Sequence, residues 1–173
     1  MTEVKSQNLN TEFNASYEQF SDAIFRYCLY QTSNRQKALD LTQDTFIKTW
    51  EYLSTGKQVE NLKAFLYKVA GNLVIDDRRK KKAESLDKLT EQGFDIKSDK
   101  DEISEKENAF EGKLALEAIN KLDEKYRDVL IFRFVEDMEI KEIAKILKES
   151  ENNISVRIHR GLEKLKIILE ENQ

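Results

Sequence analysis

The stretch NLVIDDRRKKK, Asn72 to Lys82, sets one amide ahead of five consecutive cations, Arg78, Arg79, Lys80, Lys81 and Lys82. Such a run can neutralise phosphates, and an amide carries both a donor and an acceptor, which suits the edge of a nucleic-acid base. A solvated helix end would show the same run, because cations are favoured beside the partial negative charge of a helix C-terminus. A second constellation lies near the other end of the chain: Asn153, Ser155, Arg157, His159, Arg160 and Lys164. Arginine can read guanine, asparagine can read adenine, and Ser or Lys can hold phosphate. A third set, Asp40, Gln43 and Asp44, recurs at spacings of three and four beside Phe46 and Trp50. On a helix that makes one polar patch, suited to a basic protein surface or simply to water.

Catalytic chemistry is poorly supplied. The chain has one histidine and one cysteine, far apart, so neither a metal cluster nor a thiolate–imidazole pair is expected. It has no Gly-rich phosphate loop and no nucleophile elbow. The expectation is therefore binding without catalysis, with no catalytic residues, no metal, no cofactor and no small-molecule substrate. Cys28, among Phe25, Tyr27 and Leu29, reads as a small core residue. No apolar run approaches the roughly 20 residues that span a bilayer, and MTEVKSQNLN does not read as a signal sequence. A single cysteine fits a reducing compartment, so a cytoplasmic protein is expected.

The elements that must position these groups are helical. Among 173 residues there is no proline and only five glycines, with 39% hydrophobic and 36% charged residues and a formal charge of −4. All-β folds need more punctuation than that. Phe13, Tyr17, Phe20, Ile24 and Tyr27 mark one helix face, and QTSN interrupts it. A second helix runs from about Arg35 to Leu53, with Leu39, Phe46, Trp50 and Leu53 as its apolar face. STGKQ makes a turn. A third helix carries Leu62, Phe65, Leu66, Val69 and Leu73 and ends in the basic run. Between Glu84 and Glu111 ten acids face four lysines with few large apolar residues, which predicts a flexible acidic linker.

The second block starts at about Lys113. Leu114, Ala118, Ile119 and Leu122 share one helix, and Asp123 can cap the next, which carries Tyr126, Val129, Leu130 and Phe134. Ile140, Ile143, Ala144 and Leu147 make a short helix, Ser150 caps a longer one, and Ile154, Ile158, Leu162, Leu165 and Leu169 line it. A short helix, a tight turn and a longer helix form the helix-turn-helix plan, with small Ala144 and branched Ile154 where two helices cross closely. An amphipathic hairpin would show the same stripe. Lys148 occupies the turn position where glycine is usual, so the turn forgoes glycine's freedom at positive φ.

Taken together, the two blocks resemble an extracytoplasmic-function (ECF) sigma factor, a bacterial RNA polymerase specificity subunit. DLTQDTFIKTW (Asp40 to Trp50) is similar to the family's polymerase-binding helix. AFLYKVAGNLVIDDRRKKK (Ala64 to Lys82) is similar to its helix for recognising and melting the minus-ten element. LDEKYRDVLIFRFVEDMEIKEIAKIL followed by SENNISVRIHRGLEKL resembles its reader of the minus-thirty-five element. The resemblance implies an all-α fold of two small domains: a region 2-like domain over 11–82, an acidic linker over 83–112 and a region 4-like helix-turn-helix domain over 113–170. It implies polymerase contacts from Asp40, Gln43, Asp44 and Lys48, and minus-ten contacts from Tyr67, Lys68, Asn72, Arg78, Arg79 and Lys80. It implies minus-thirty-five contacts from Arg133, Asn153, Ser155, Val156, Arg157, His159 and Arg160.

The implied partners are core RNA polymerase, promoter DNA as duplex and melted strand, and an anti-sigma factor. Three positions depart from the family pattern. Gly71 stands where arginine is frequent, Asp123 replaces a proline, and Asn152–Asn153 replaces a Gly-Thr pair. The alternative is a stand-alone helix-turn-helix regulator that binds a palindrome without polymerase. On the sigma reading the free chain is expected to bind DNA poorly, because its net negative charge opposes a polyanion until polymerase holds the domains apart.

Overall fold

The computed structural model describes residues 2–91 and 117–171, with side chains described from 10 to 85 and from 117 to 171. Among them all regular structure is helical. Helix α1 (Thr2–Thr32), α2 (Arg35–Ser54) and α3 (Leu62–Glu91) form the first bundle. After a helical turn over 117–121, the second comprises α4 (Glu124–Leu130), a π-helical segment (Ile131–Val135), α5 (Ile140–Leu147) and α6 (Glu151–Glu171). Helix α3 runs nine residues past the expected boundary at Lys82, since AESLDKLTE holds good helix formers and no breaker. The rest of the acidic linker, 92–112, and the expected start of the second block at Lys113 and Leu114 lie outside the described residues.

The first bundle packs α1, α2 and α3 around Ile24, Cys28, Ala38, Leu41, Leu66, Ala70 and Val74. Asn34 caps α2 by accepting from the Lys37 N–H at 2.8 Å. The buried face of α2 differs from the expected one. Leu39 is 38% exposed, while Thr42, Thr45 and Thr49 are buried. Each threonine hydroxyl donates to the carbonyl four residues earlier, at 2.7 to 2.8 Å, so its polarity is satisfied inside the helix. Gly71 has a packing role: a Cβ there would lie 3.3 Å from the Tyr27 hydroxyl. The turn after α2 uses Gly56 at φ +82, a conformation glycine adopts without cost.

The second bundle closes around Val129, Leu130, Ile131, Met138, Ile143, Ala144, Ile154 and Ile158. Gly161 lets α6 approach α4, since a Cβ there would meet Leu130 at 3.3 Å. Ser150 caps α6, accepting from the Asn153 N–H at 3.2 Å. Asp123 occupies the N-cap of α4, but its side chain makes no capping bond there. Lys148 does adopt the left-handed conformation, at φ 55 and ψ 43, where L side chains are crowded.

The π segment changes which residues face inward. Continuing the α period from Leu130 would bury Phe134, yet Phe134 is 59% exposed and Ile131 and Phe132 are buried. The Glu136 N–H donates to the Ile131 carbonyl five residues earlier, at 3.0 Å, and the wider turn rotates the later side chains.

That rotation joins the two bundles. Phe132 stacks on Tyr27 at 5.3 Å and 6°, and meets Tyr67 edge-on at 5.2 Å and 85°. Glu136 accepts from Arg26 through both carboxylate oxygens, at 3.2 and 3.1 Å, and from the Tyr67 hydroxyl at 3.2 Å. Gln31 donates to Asp128 at 2.5 Å, and Lys63 pairs with Glu142 at 3.1 Å. Burying one phenylalanine contributes on the order of 2–3 kcal/mol, so the aromatic trio supplies much of the adhesion and the ions its register.

Candidate nucleic-acid interface

Asp40, Gln43 and Asp44 are exposed on α2, as one patch, with Gln36 donating to Asp40 at 3.3 Å. Gln43 also borders an apolar groove of about 570 Å³ between α1 and α2, walled by Phe13, Tyr17, Phe46, Ile47 and Trp50. Tyr17 and Ile47 are 46% and 54% exposed there. A groove with bare apolar walls and a polar rim has the anatomy of a protein-binding surface. Lys48 stands apart from this groove. It lines a second cavity, of about 470 Å³, together with Asn72.

The amide of Asn72 is exposed at this second cavity, beside Tyr52, Phe65, Val69 and Leu73. Tyr52 and Phe65 contact each other at 4.8 Å with a 37° tilt, and the Lys57 ammonium lies 4.9 Å from the Tyr52 ring centre. Lys48 and Lys57 share the lining with the acids Glu51 and Asp76, so the cavity's charges offset one another, and the amide beside aromatic walls supplies the parts needed to meet a planar base. The sequence reading missed Tyr52, Lys57 and Phe65. Phe65 reads in the sequence as part of the apolar face of the third helix, and Lys57 as part of the turn around Gly56, so neither pointed to a site.

The other minus-ten candidates divide. Lys68, Arg79 and Lys80 are exposed. Tyr67 is only 2% exposed, enclosed by Tyr27 and Phe132. Burial, with Glu136 beside it, pushes its hydroxyl well above the usual tyrosine range. Arg78 donates to the Gln31 carbonyl at 3.0 Å and to the Gln31 side chain, and lies 3.8 Å from Glu124. In this arrangement Tyr67 is closed to a ligand, and Arg78 is half-buried and engaged by Gln31 and Glu124.

On α6, Asn153, Val156, His159 and Arg160 are exposed together, at helical spacing. His159 Nε2 lies 3.3 Å from Glu163. Ser155 is half-buried and its hydroxyl donates to the Glu151 carbonyl at 3.0 Å. Arg157 is a clamp: Nε donates to the Lys125 carbonyl at 3.0 Å, and the guanidinium also holds Glu149. Arg133 donates to the Met138 carbonyl at 3.0 Å, across the bend after the π segment. The arginine most thoroughly absorbed by the fold is Arg127, which donates to the carbonyls of Ile119, Asn120 and Leu122 at 2.6 to 3.1 Å. It satisfies the open end of the helical turn at 117–121, and burial holds its guanidinium below the usual range.

Among the described residues no group of His, Cys, Asp and Glu could hold a metal ion, and no helix is long and apolar enough to cross a membrane. Cys28 is buried, and desolvation pushes its thiol up to about 12.

Comparison with known proteins accounts for both halves of the chain. Residues 16–84 match the family model of sigma-70 region 2, and residues 113–165 that of sigma-70 region 4. The RNA polymerase sigma factor SigV of Bacillus subtilis (strain 168) is 28% identical over 146 residues, covering 84% of each chain. The ECF RNA polymerase sigma factor SigW of the same organism is 28% identical over 160 residues, covering 85% of this chain and 83% of its own. The co-crystal structure of the sigma factor RpoE with the anti-sigma factor NepR from Bartonella quintana has the same fold. Its TM-score is 0.69 at 21% identity, over 94% of this chain and 99% of that one.

Proposed function

The chain belongs to the sigma-70 family, in its extracytoplasmic-function group, and from that premise we propose how its surfaces divide the work of initiation. The protein is a transcription initiation factor whose partners are core RNA polymerase and promoter DNA. Asp40, Gln43 and Asp44, with the adjoining groove of Phe13, Tyr17, Ile47 and Trp50, bind core polymerase. The cavity at Asn72, with Lys48 and Lys57 in its lining, receives a base from the melted minus-ten strand, and Lys68, Arg79 and Lys80 hold the neighbouring phosphates. Asn153, Val156, His159 and Arg160 meet the minus-thirty-five duplex in its major groove. Ser155 and Arg157 brace that helix from within the domain, and Arg133 holds the bend after the π segment. No step is catalytic: the factor acts by binding energy spent on open DNA. It works in the cytoplasm, where polymerase is, and an anti-sigma factor is a further partner, by analogy with the RpoE–NepR complex.

The observation that carries this reading is the exposed Asn72 amide in an aromatic-walled cavity, on the same domain as a separate polar and apolar protein-binding surface. A stand-alone regulator needs no such cavity. Substitution tests the division of labour. Asn72→Ala should leave initial promoter binding nearly intact and impair opening, since extruding a base costs a few kcal/mol that the amide helps offset. Arg160→Ala should weaken initial binding by roughly tenfold or more, the worth of one base or phosphate contact. A template with a pre-opened bubble should partly rescue Asn72→Ala and not Arg160→Ala. Identical behaviour of the two variants on both templates would refute the assignment.

A further inference from the structure

We propose that Asp76 and Glu51 make the Asn72 cavity selective, so that it accepts a base bearing an exocyclic amine and refuses thymine. The inference rests on the initiation function above and names the class of base that this cavity takes.

The cavity is built from two helix faces. Glu51 and Tyr52 come from α2, and Phe65, Val69, Asn72 and Asp76 recur at every third or fourth position of α3. Asn72 and Asp76 stand one turn apart, about 5–6 Å between Cβ atoms, so their side chains can reach one base edge together. Both are exposed, as is Glu51, and none of the three has a hydrogen bond or ion pair to another described residue. The next acid in the chain differs. Asp77 meets Lys37 at 2.8 Å and Lys81 at 3.8 Å, and it lies outside the lining.

An ionised carboxylate can only accept a hydrogen bond, whereas the Asn72 amide both donates and accepts. A base held beside Tyr52 and Phe65 gives its amine hydrogen to Asp76 or Glu51, and its neighbouring ring nitrogen meets the amide. Cytosine, adenine and guanine each carry such an amine. Thymine does not: its one N–H on this edge lies between two carbonyl oxygens, which would face carboxylates that have no hydrogen to give. Setting acceptor against acceptor costs more than losing one bond, because both groups forgo water. The acids also orient the strand. Lys68, Arg79 and Lys80 are exposed outside the lining and attract the phosphates, while carboxylates within it repel them and leave the cavity to the uncharged base.

Transcription by core polymerase with the full-length chain tests this. Among templates selected from a random-sequence pool, the upstream position whose base preference Asn72→Ala relaxes is the one the cavity reads. Two pre-opened bubble templates are then compared that differ only there, one with 5-methylcytosine and one with thymine. These bases share the ring methyl and differ in the amine or carbonyl at C4 and in the proton at N3. At limiting chain, wild type should transcribe the 5-methylcytosine template about tenfold or more above the thymine one. Asp76→Asn with Glu51→Gln, whose amides can donate to a carbonyl, should bring that ratio to about twofold or less. Equal use of the two templates by wild type, or an unchanged ratio in the double variant, would overturn the selectivity while leaving the initiation function standing. If Asn72→Ala alters preference at no position, or transcripts do not depend on the chain, the base-capture reading itself fails and the selectivity with it.

Discussion

Replacing Asp128 with asparagine isolates a carboxyl that the docked interface holds close to neutral pH. Asp128 accepts from Gln31 across the domain boundary, and desolvation pushes it up from 3.8 to about 6 against the lowering effects of the Gln31 bond, Arg78 and Arg127. The folded value lies above the unfolded one. Its stabilising contribution is therefore complete below the unfolded value and lost as pH rises through about 6. Between pH 7 and pH 5 the folded chain takes up most of a proton while the unfolded chain takes up little, which amounts to about 1.3 kcal/mol in favour of the fold. Urea unfolding of wild type and Asp128→Asn at both pH values gives a difference of differences in which other titrating groups cancel. Wild type should gain about 1.3 kcal/mol over the variant on acidification. Parallel pH profiles for the two proteins would show that the Asp128 carboxyl is not desolvated at this interface.

Two further substitutions test local structure. Lys148→Gly should stabilise the chain by about 0.5–1 kcal/mol in urea, because glycine removes Cβ crowding at φ 55, and a loss of stability would refute the left-handed turn. Arg157→Ala should cost roughly 1.5–3 kcal/mol by removing charge-assisted bonds to the Lys125 carbonyl and Glu149, and a thermally neutral variant would return Arg157 to the DNA surface.

Helix order, the turn at Gly56, the cap at Ser150 and the helix-turn-helix were legible because each follows from local periodicity or a local hydrogen bond. The exposed positions of Asp40, Gln43, Asp44, Asn72, Asn153 and Arg160 were legible for the same reason. What escaped the sequence came from two sources. One is a change of helical period: nothing in IFRFV announces a π turn, so Phe134 read as core and Phe132 had no assigned partner. The other is contact between residues about 50 to 110 positions apart, which composition cannot pair. Arg26 with Glu136, Gln31 with Asp128 and Arg78 with Glu124 are of this kind. Arg78 and Arg157 had the right charge and helical position for phosphate contacts, and only coordinates reveal that carboxylates and carbonyls already hold them. Gly71, a departure at the sequence level, acquires a reason once Tyr27 is seen against it.

Transcription by purified core polymerase from a pool of random-sequence templates, with and without the full-length chain, tests the central claim most directly. Sequencing the transcribed templates should reveal initiation that depends on the chain, at sites sharing two upstream elements at a fixed separation, with Asn72→Ala impaired at opening the nearer one. Transcripts indistinguishable from those of core polymerase alone, or a chain that selects a palindrome in the absence of polymerase, would contradict it.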